Sequence, residues 1–166
     1  TNQLSQDYFQ IISDWYHFAI LNLAECEGFR WHERAIARRL GITKNEALLA
    51  LKRLEKLGLI SKQKGKYAVT RDYVQTTEGI PSEAIRKYHQ QILDLAKQAI
   101  DLQNVNEREM VGISFPVNMK ALPSIKKDIN DFLDQMMAKY SRDKAKREVY
   151  QMEIALFRLT TGGADV

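Results

Sequence analysis

The chain has 166 residues, 45 % of them hydrophobic and 28 % charged, with a formal net charge of +4 and a pI near 9.1. That composition excludes a disordered chain and suits one compact domain or two small ones. No apolar run approaches the roughly 20 residues that cross a bilayer, and the lone Cys26 excludes an internal disulfide and a multi-cysteine metal site.

Thr1-Asn2-Gln3-Leu4 shows no basic stretch followed by an apolar one, so no secretory leader is expected, and the cytoplasm is the simplest compartment. The missing initiator Met leads us to expect a fragment or a processed product.

From Asp7 to about Glu27 a single helix is expected, because Tyr8, Ile11, Ile12, Trp15, Phe18, Ala19 and Leu23 recur at steps of three and four. Gly28 stops it. Trp15, Tyr16 and Phe18 read as packing residues, since aromatic stripes at helical spacing usually pack. A short helix follows at about His32 to Leu40, with Ala35, Ile36 and Leu40 inward. Gly41-Ile42-Thr43 is the turn after it. Thr43 and Glu46 make a capping box for a third helix that runs to about Leu57. Gly58 ends that helix. Leu59–Lys62 and Lys66–Thr70 read as two short strands joined at Gln63-Lys64-Gly65.

Helix, short helix, glycine turn, helix and basic hairpin, in that order, describe a winged helix-turn-helix over residues 1–70. In such a unit the third helix enters the DNA major groove. Its candidate DNA-facing residues are Lys44, Asn45, Leu49, Lys52 and Arg53, with Asn45 suited to adenine and Arg53 to guanine or phosphate. Arg38 and Arg39, with Lys62, Lys64 and Lys66 on the wing, are candidates for phosphates. Between Arg30 and Lys66 lie eleven basic and three acidic residues, a local +8 that leaves about −4 for the rest of the chain. Such asymmetry points to nucleic acid. Against it, Leu49 and Ala50 sit on the face that would meet the groove, and Glu46 repels phosphate unless the cap holds it.

Residues 71–80 read as a linker. Pro81 opens a helix to about Asn104 with a broad stripe of Ile85, Tyr88, Ile92, Leu95, Ala96, Ala99, Ile100 and Leu102, wide enough to pack within the chain or against a second copy. Met110–Val117 alternates as a strand. Leu122–Tyr140 is a helix with Ile125, Ile129, Phe132, Leu133, Met136 and Tyr140 inward. Glu148–Leu159 alternates as a longer strand, and 161–166 reads as a loose tail. The fold class is therefore α+β, a winged helix-turn-helix followed by a helix-strand-helix-strand domain over 81–160 that serves dimerisation or sensing.

Nothing in the sequence has the spacing of a catalytic or metal-binding constellation. His17, His32 and His89 stand apart from cysteine or carboxylate at ligand spacing. Neither enzyme activity nor a cofactor is expected.

The stretches Ile12-Ser13-Asp14-Trp15-Tyr16-His17-Phe18-Ala19-Ile20-Leu21, Ile36-Ala37-Arg38-Arg39-Leu40-Gly41-Ile42, Leu54-x-x-Leu57-Gly58-Leu59-Ile60, Ile80-Pro81-Ser82-Glu83-Ala84-Ile85-Arg86-x-x-His89 and Phe157-x-Leu159-Thr160 occur in this order. Together they resemble a paralogous family of helix-turn-helix transcription regulators expanded in predatory and related bacteria, whose C-terminal half is catalogued as a domain of unknown function. The resemblance covers essentially the whole chain. It implies a lambda-repressor-like reader upstream, and a linking role for Asp14 and His17 toward the C-terminal part. It brings no ligand and no catalytic residues. The expected partners are DNA and a second copy of the chain. No membrane partner is expected, and no small-molecule or protein effector is named. The alternative is a protein-interaction or ligand-sensing module without DNA contact.

Overall fold

The computed structural model describes residues 2–70 and 82–162, with side chains from residue 5 onward. The expected linker 71–80 and the tail from 163 lie outside the described residues. The described elements are α1 (Asn2–Ser13), α2 (Tyr16–Leu23), α3 (Glu33–Leu40), α4 (Lys44–Lys56), β1 (Ile60–Gln63), β2 (Lys66–Val69), α5 (Ser82–Leu102) and α6 (Leu122–Tyr140), with short 3-10 turns at Val105–Glu107 and Met119–Ala121. The result is a mixed, mostly helical chain with one two-stranded antiparallel sheet among the described residues.

The single helix expected at the start is two helices. The chain breaks at Asp14 and Trp15, where the Trp15 N–H donates to Gln91 Oε1 at 3.1 Å. Gln91 Nε2 in turn donates to Asp14 Oδ1 at 3.1 Å, and Lys87 Nζ lies 3.5 Å from the same carboxylate. His17 Nδ1 donates to the Asp14 carbonyl at 2.9 Å. A short acidic side chain competes with the helix for local bonds, and α5 supplies the partners that hold the break open. Asp14 thus links α1–α2 to α5, whereas His17 bonds within its own turn.

The middle elements fall close to their expected bounds. Gly41 follows α3 in the left-handed region, φ 66°, where a side chain is strained. Thr43 accepts from the Glu46 N–H at 3.0 Å, and Glu46 accepts from the Thr43 N–H at 2.9 Å, which completes the capping box of α4. β1 and β2 pair in the register Ile60 with Val69 and Gln63 with Lys66, leaving Lys64-Gly65 as a two-residue turn. Both turn residues have positive φ, 52° and 76°, matching the right-handed twist of the hairpin.

The core gathers Ile11, Tyr16, Ile20, Leu21, Ile36, Ala47, Ala50, Leu51, Leu54 and Ile60, with Trp15, Phe18, Phe29, Trp31 and Tyr67 packed against it. Phe29, Trp31 and Tyr67 form an aromatic chain with centroid separations of 4.7 and 5.8 Å. The aromatics of the first helical segment therefore pack, as their spacing indicates.

Two compact units emerge, residues 1–110 with 144–149, and residues 111–143 with 150–166. The division differs from the expected 1–70 and 81–160. α5 falls in the first unit because Ala84 and Ile92 are buried and Gln91 and Lys87 hold Asp14. Residues 144–149 also join this unit, where the Glu27 N–H donates to the Lys146 carbonyl at 2.8 Å.

The second unit corrects the strand expectations. Neither Met110–Val117 nor Glu148–Leu159 is a strand, although both run without turn or bend, and the only ladder among the described residues is β1 with β2. Alternation supplies a face, but a strand also needs a partner of matching register. α6, by contrast, spans the expected Leu122–Tyr140, with Pro123 in its first turn.

Candidate nucleic-acid interface

The candidate surface lies in the first unit and starts from the burial pattern of α4. Ala47, Ala50, Leu51 and Leu54 are buried. The positions that remain exposed include Lys44, Asn45, Leu49, Lys52 and Lys56. Asn45, Leu49, Lys52 and Lys56 follow steps of four, three and four, so they form one stripe. The capping box holds the Glu46 carboxylate on the Thr43 N–H, which removes a free anion from the start of this face. Ala50, expected on the groove-facing side, is fully buried instead. Leu49 is 39 % exposed, so the stripe keeps an apolar centre.

The hairpin presents Lys62, Lys64 and Lys66, all exposed. Lys62 Nζ lies 4.9 Å from the centroid of the Tyr67 ring, and the Tyr67 hydroxyl donates to Glu55 at 3.0 Å. A cation over an aromatic face is held in place without losing its charge, so the hairpin offers ordered positive charge. Arg38 is exposed on the last turn of α3.

Two of the expected DNA-facing residues are occupied. Arg53 is only 21 % exposed at its side chain, and its Nε lies 3.8 Å from Asp7 Oδ1. It turns inward beside Tyr16, whose phenol is pushed up to about 12 by burial first and then by Asp14 and Glu46, with Arg53 opposing. Lys56 donates to the other oxygen of Asp7 at 2.6 Å. Asp7, Leu49, Lys52, Arg53 and Lys56 line a shallow hollow. Arg39 donates to Glu148 Oε2 at 3.2 Å and to the Arg147 carbonyl.

Sequence reasoning missed Asp7 and Glu148 as neutralising partners. The pairs lie 49 residues apart for Lys56 with Asp7 and 109 for Arg39 with Glu148, beyond any local pattern. The free cations of the surface are thus concentrated on Lys44, Lys52, Lys64, Lys66 and Arg38. Among the described residues no group of three or more His, Cys, Asp or Glu could hold a metal ion, and no helix is long and apolar enough to cross a membrane.

No curated protein and no solved structure was found to match the chain. A family model does, that of a domain of unknown function, DUF4423, over residues 1–159. The span of that match, nearly the whole of the 166 residues, means that the chain belongs to this family.

Proposed function

We propose that residues 1–70 act as a winged helix-turn-helix that binds DNA, with α4 as the groove helix and β1–β2 as the wing, in a protein that serves transcription regulation. The observation that carries this reading is the joint exposure of Lys44, Asn45 and Lys52 on α4 and of Lys62, Lys64 and Lys66 on the hairpin, with the adjacent Glu46 carboxylate committed to the cap. Asn45 supplies the base-edge group and the lysines neutralise phosphates. Arg39 and Arg53 act in this scheme as structural residues, because each already holds a carboxylate.

The exposed Leu49 at the centre of the stripe favours a second reading, a protein-interaction module built on the same scaffold. Binding to mixed-sequence duplex DNA at two salt concentrations separates the two. Under the first reading the chain binds in the micromolar range at low salt. The triple variant Lys44→Ala, Lys52→Ala, Lys64→Ala then flattens the salt dependence by about 0.9 in log–log slope for each phosphate that is no longer neutralised. The control variant Lys97→Ala, Lys120→Ala, Lys126→Ala removes equal charge elsewhere and leaves the slope unchanged. Absence of binding at low salt, or equal losses in both triples, overturns the DNA reading.

A further inference from the structure

Among its described residues the second unit has α6, the short 3-10 turn before it, two segments without turn or bend, and no buried residue. Every buried residue of the described chain belongs to the first unit. None of the described residues in 111–143 or 150–162 is buried. A segment that buries so little apolar surface does not offset the entropy of being ordered. Yet its chemistry is that of a core. Val111 and Ile113 are 85 % and 86 % exposed, Met137 67 %, Phe157 72 % and Leu159 76 %. Taking about 150–200 Å² for each fully exposed large side chain, the thirteen exposed large apolar residues among those described in this unit together leave on the order of 1,200–1,600 Å² open.

An obligate homodimer buries roughly 2,000–5,000 Å² in total, or about 1,000–2,500 Å² on each partner. Summed over the unit, this exposed apolar area is of the size that one partner of a permanent self-interface covers.

We infer that these side chains are covered by a second copy of this chain, with segments 111–117 and 151–159 of one protomer completing a sheet with those of its partner under the two α6 helices. Three observations select a second copy over a foreign partner. One chain supplies two alternating segments, fewer than the three strands that an independent sheet needs, and a second copy brings the count to four beneath two helices. The unit carries six basic and six acidic residues, so its charges neither repel a copy of itself nor recruit an oppositely charged protein. The protein's excess of +4 resides in the first unit, which is left free for a different partner. A two-fold arrangement also closes on itself, so two copies complete the assembly.

The inference is independent of DNA binding and is measured without DNA. Sedimentation equilibrium of the full chain at tens of micromolar is expected to give about twice 19.2 kDa. Amides of 111–117 and 151–159 are expected to exchange slowly, and faster on dilution below the dissociation constant. The double variant Ile113→Asp, Ile154→Asp buries unpaired carboxylates at the interface and raises that constant by about 100-fold or more. Circular dichroism shows whether its helices persist. A monomer whose segments exchange within seconds overturns the inference and leaves these side chains to a protein of another sequence. A dimer in which these amides stay unprotected also overturns it, because the copies then meet elsewhere.

Discussion

His17 is fully buried, its Nδ1 donates to the Asp14 carbonyl, and its Nε2 has no hydrogen-bond partner among the described residues. Burial is the main reason that its imidazole is pushed down from 6.5 to about 4, with the Arg53 charge acting the same way and the Asp14 bond opposing. In the unfolded chain the ring takes a proton near pH 6.5, and in the fold only near pH 4. The neutral ring's contribution is therefore fully present above pH 6.5 and is lost as the pH falls toward 4. Each pH unit in that window costs about 1.4 kcal/mol. From about pH 7.5 the loss is about 2 kcal/mol at pH 5 and about 3 kcal/mol at pH 4. Urea denaturation at fixed protein concentration measures it, with His17→Leu as the comparison. The Asp14 carbonyl keeps the His17 backbone N–H at 3.3 Å in that variant, so no acceptor is orphaned. We expect the wild type to lose about 2 kcal/mol between about pH 7.5 and pH 5 and His17→Leu to lose little. Equal slopes for the two proteins, or a flat wild type, would refute the buried neutral imidazole.

Two further substitutions probe the packing that shapes the candidate surface. Gln91→Leu strips the Trp15 N–H of its α5 partner, leaves the Asp14 carboxylate with Lys87 as its remaining α5 contact, and is expected to cost about 1–3 kcal/mol in denaturant unfolding; an unchanged midpoint would mean that water replaces the amide at no cost. Asp7→Ala leaves Arg53 and Lys56 without their shared carboxylate, itself only 7 % exposed, and is expected to destabilise the chain by about 1–3 kcal/mol while strengthening DNA binding at low salt through the cations it frees. Loss of stability with weaker binding would place Asp7 in the support of α4 alone.

What the sequence determined here is local. Thr43 with Glu46, Gly41 and the Lys64-Gly65 turn each specify a bond or a dihedral within a few residues, and the elements around them lie close to where those signals put them. The stripe of α6 and its proline likewise mark its bounds, because a helix is written in its own periodicity. What only the tertiary structure decided is pairing between distant parts. Asp7 takes Arg53 and Lys56 out of the free positive surface, Glu148 takes Arg39, and Gln91 splits the first helix in two. The alternating segments 110–117 and 148–159 show the same division most plainly. Alternation fixes which side chains share a face, but a ladder requires a second backbone at hydrogen-bonding distance, and none of the described residues provides it.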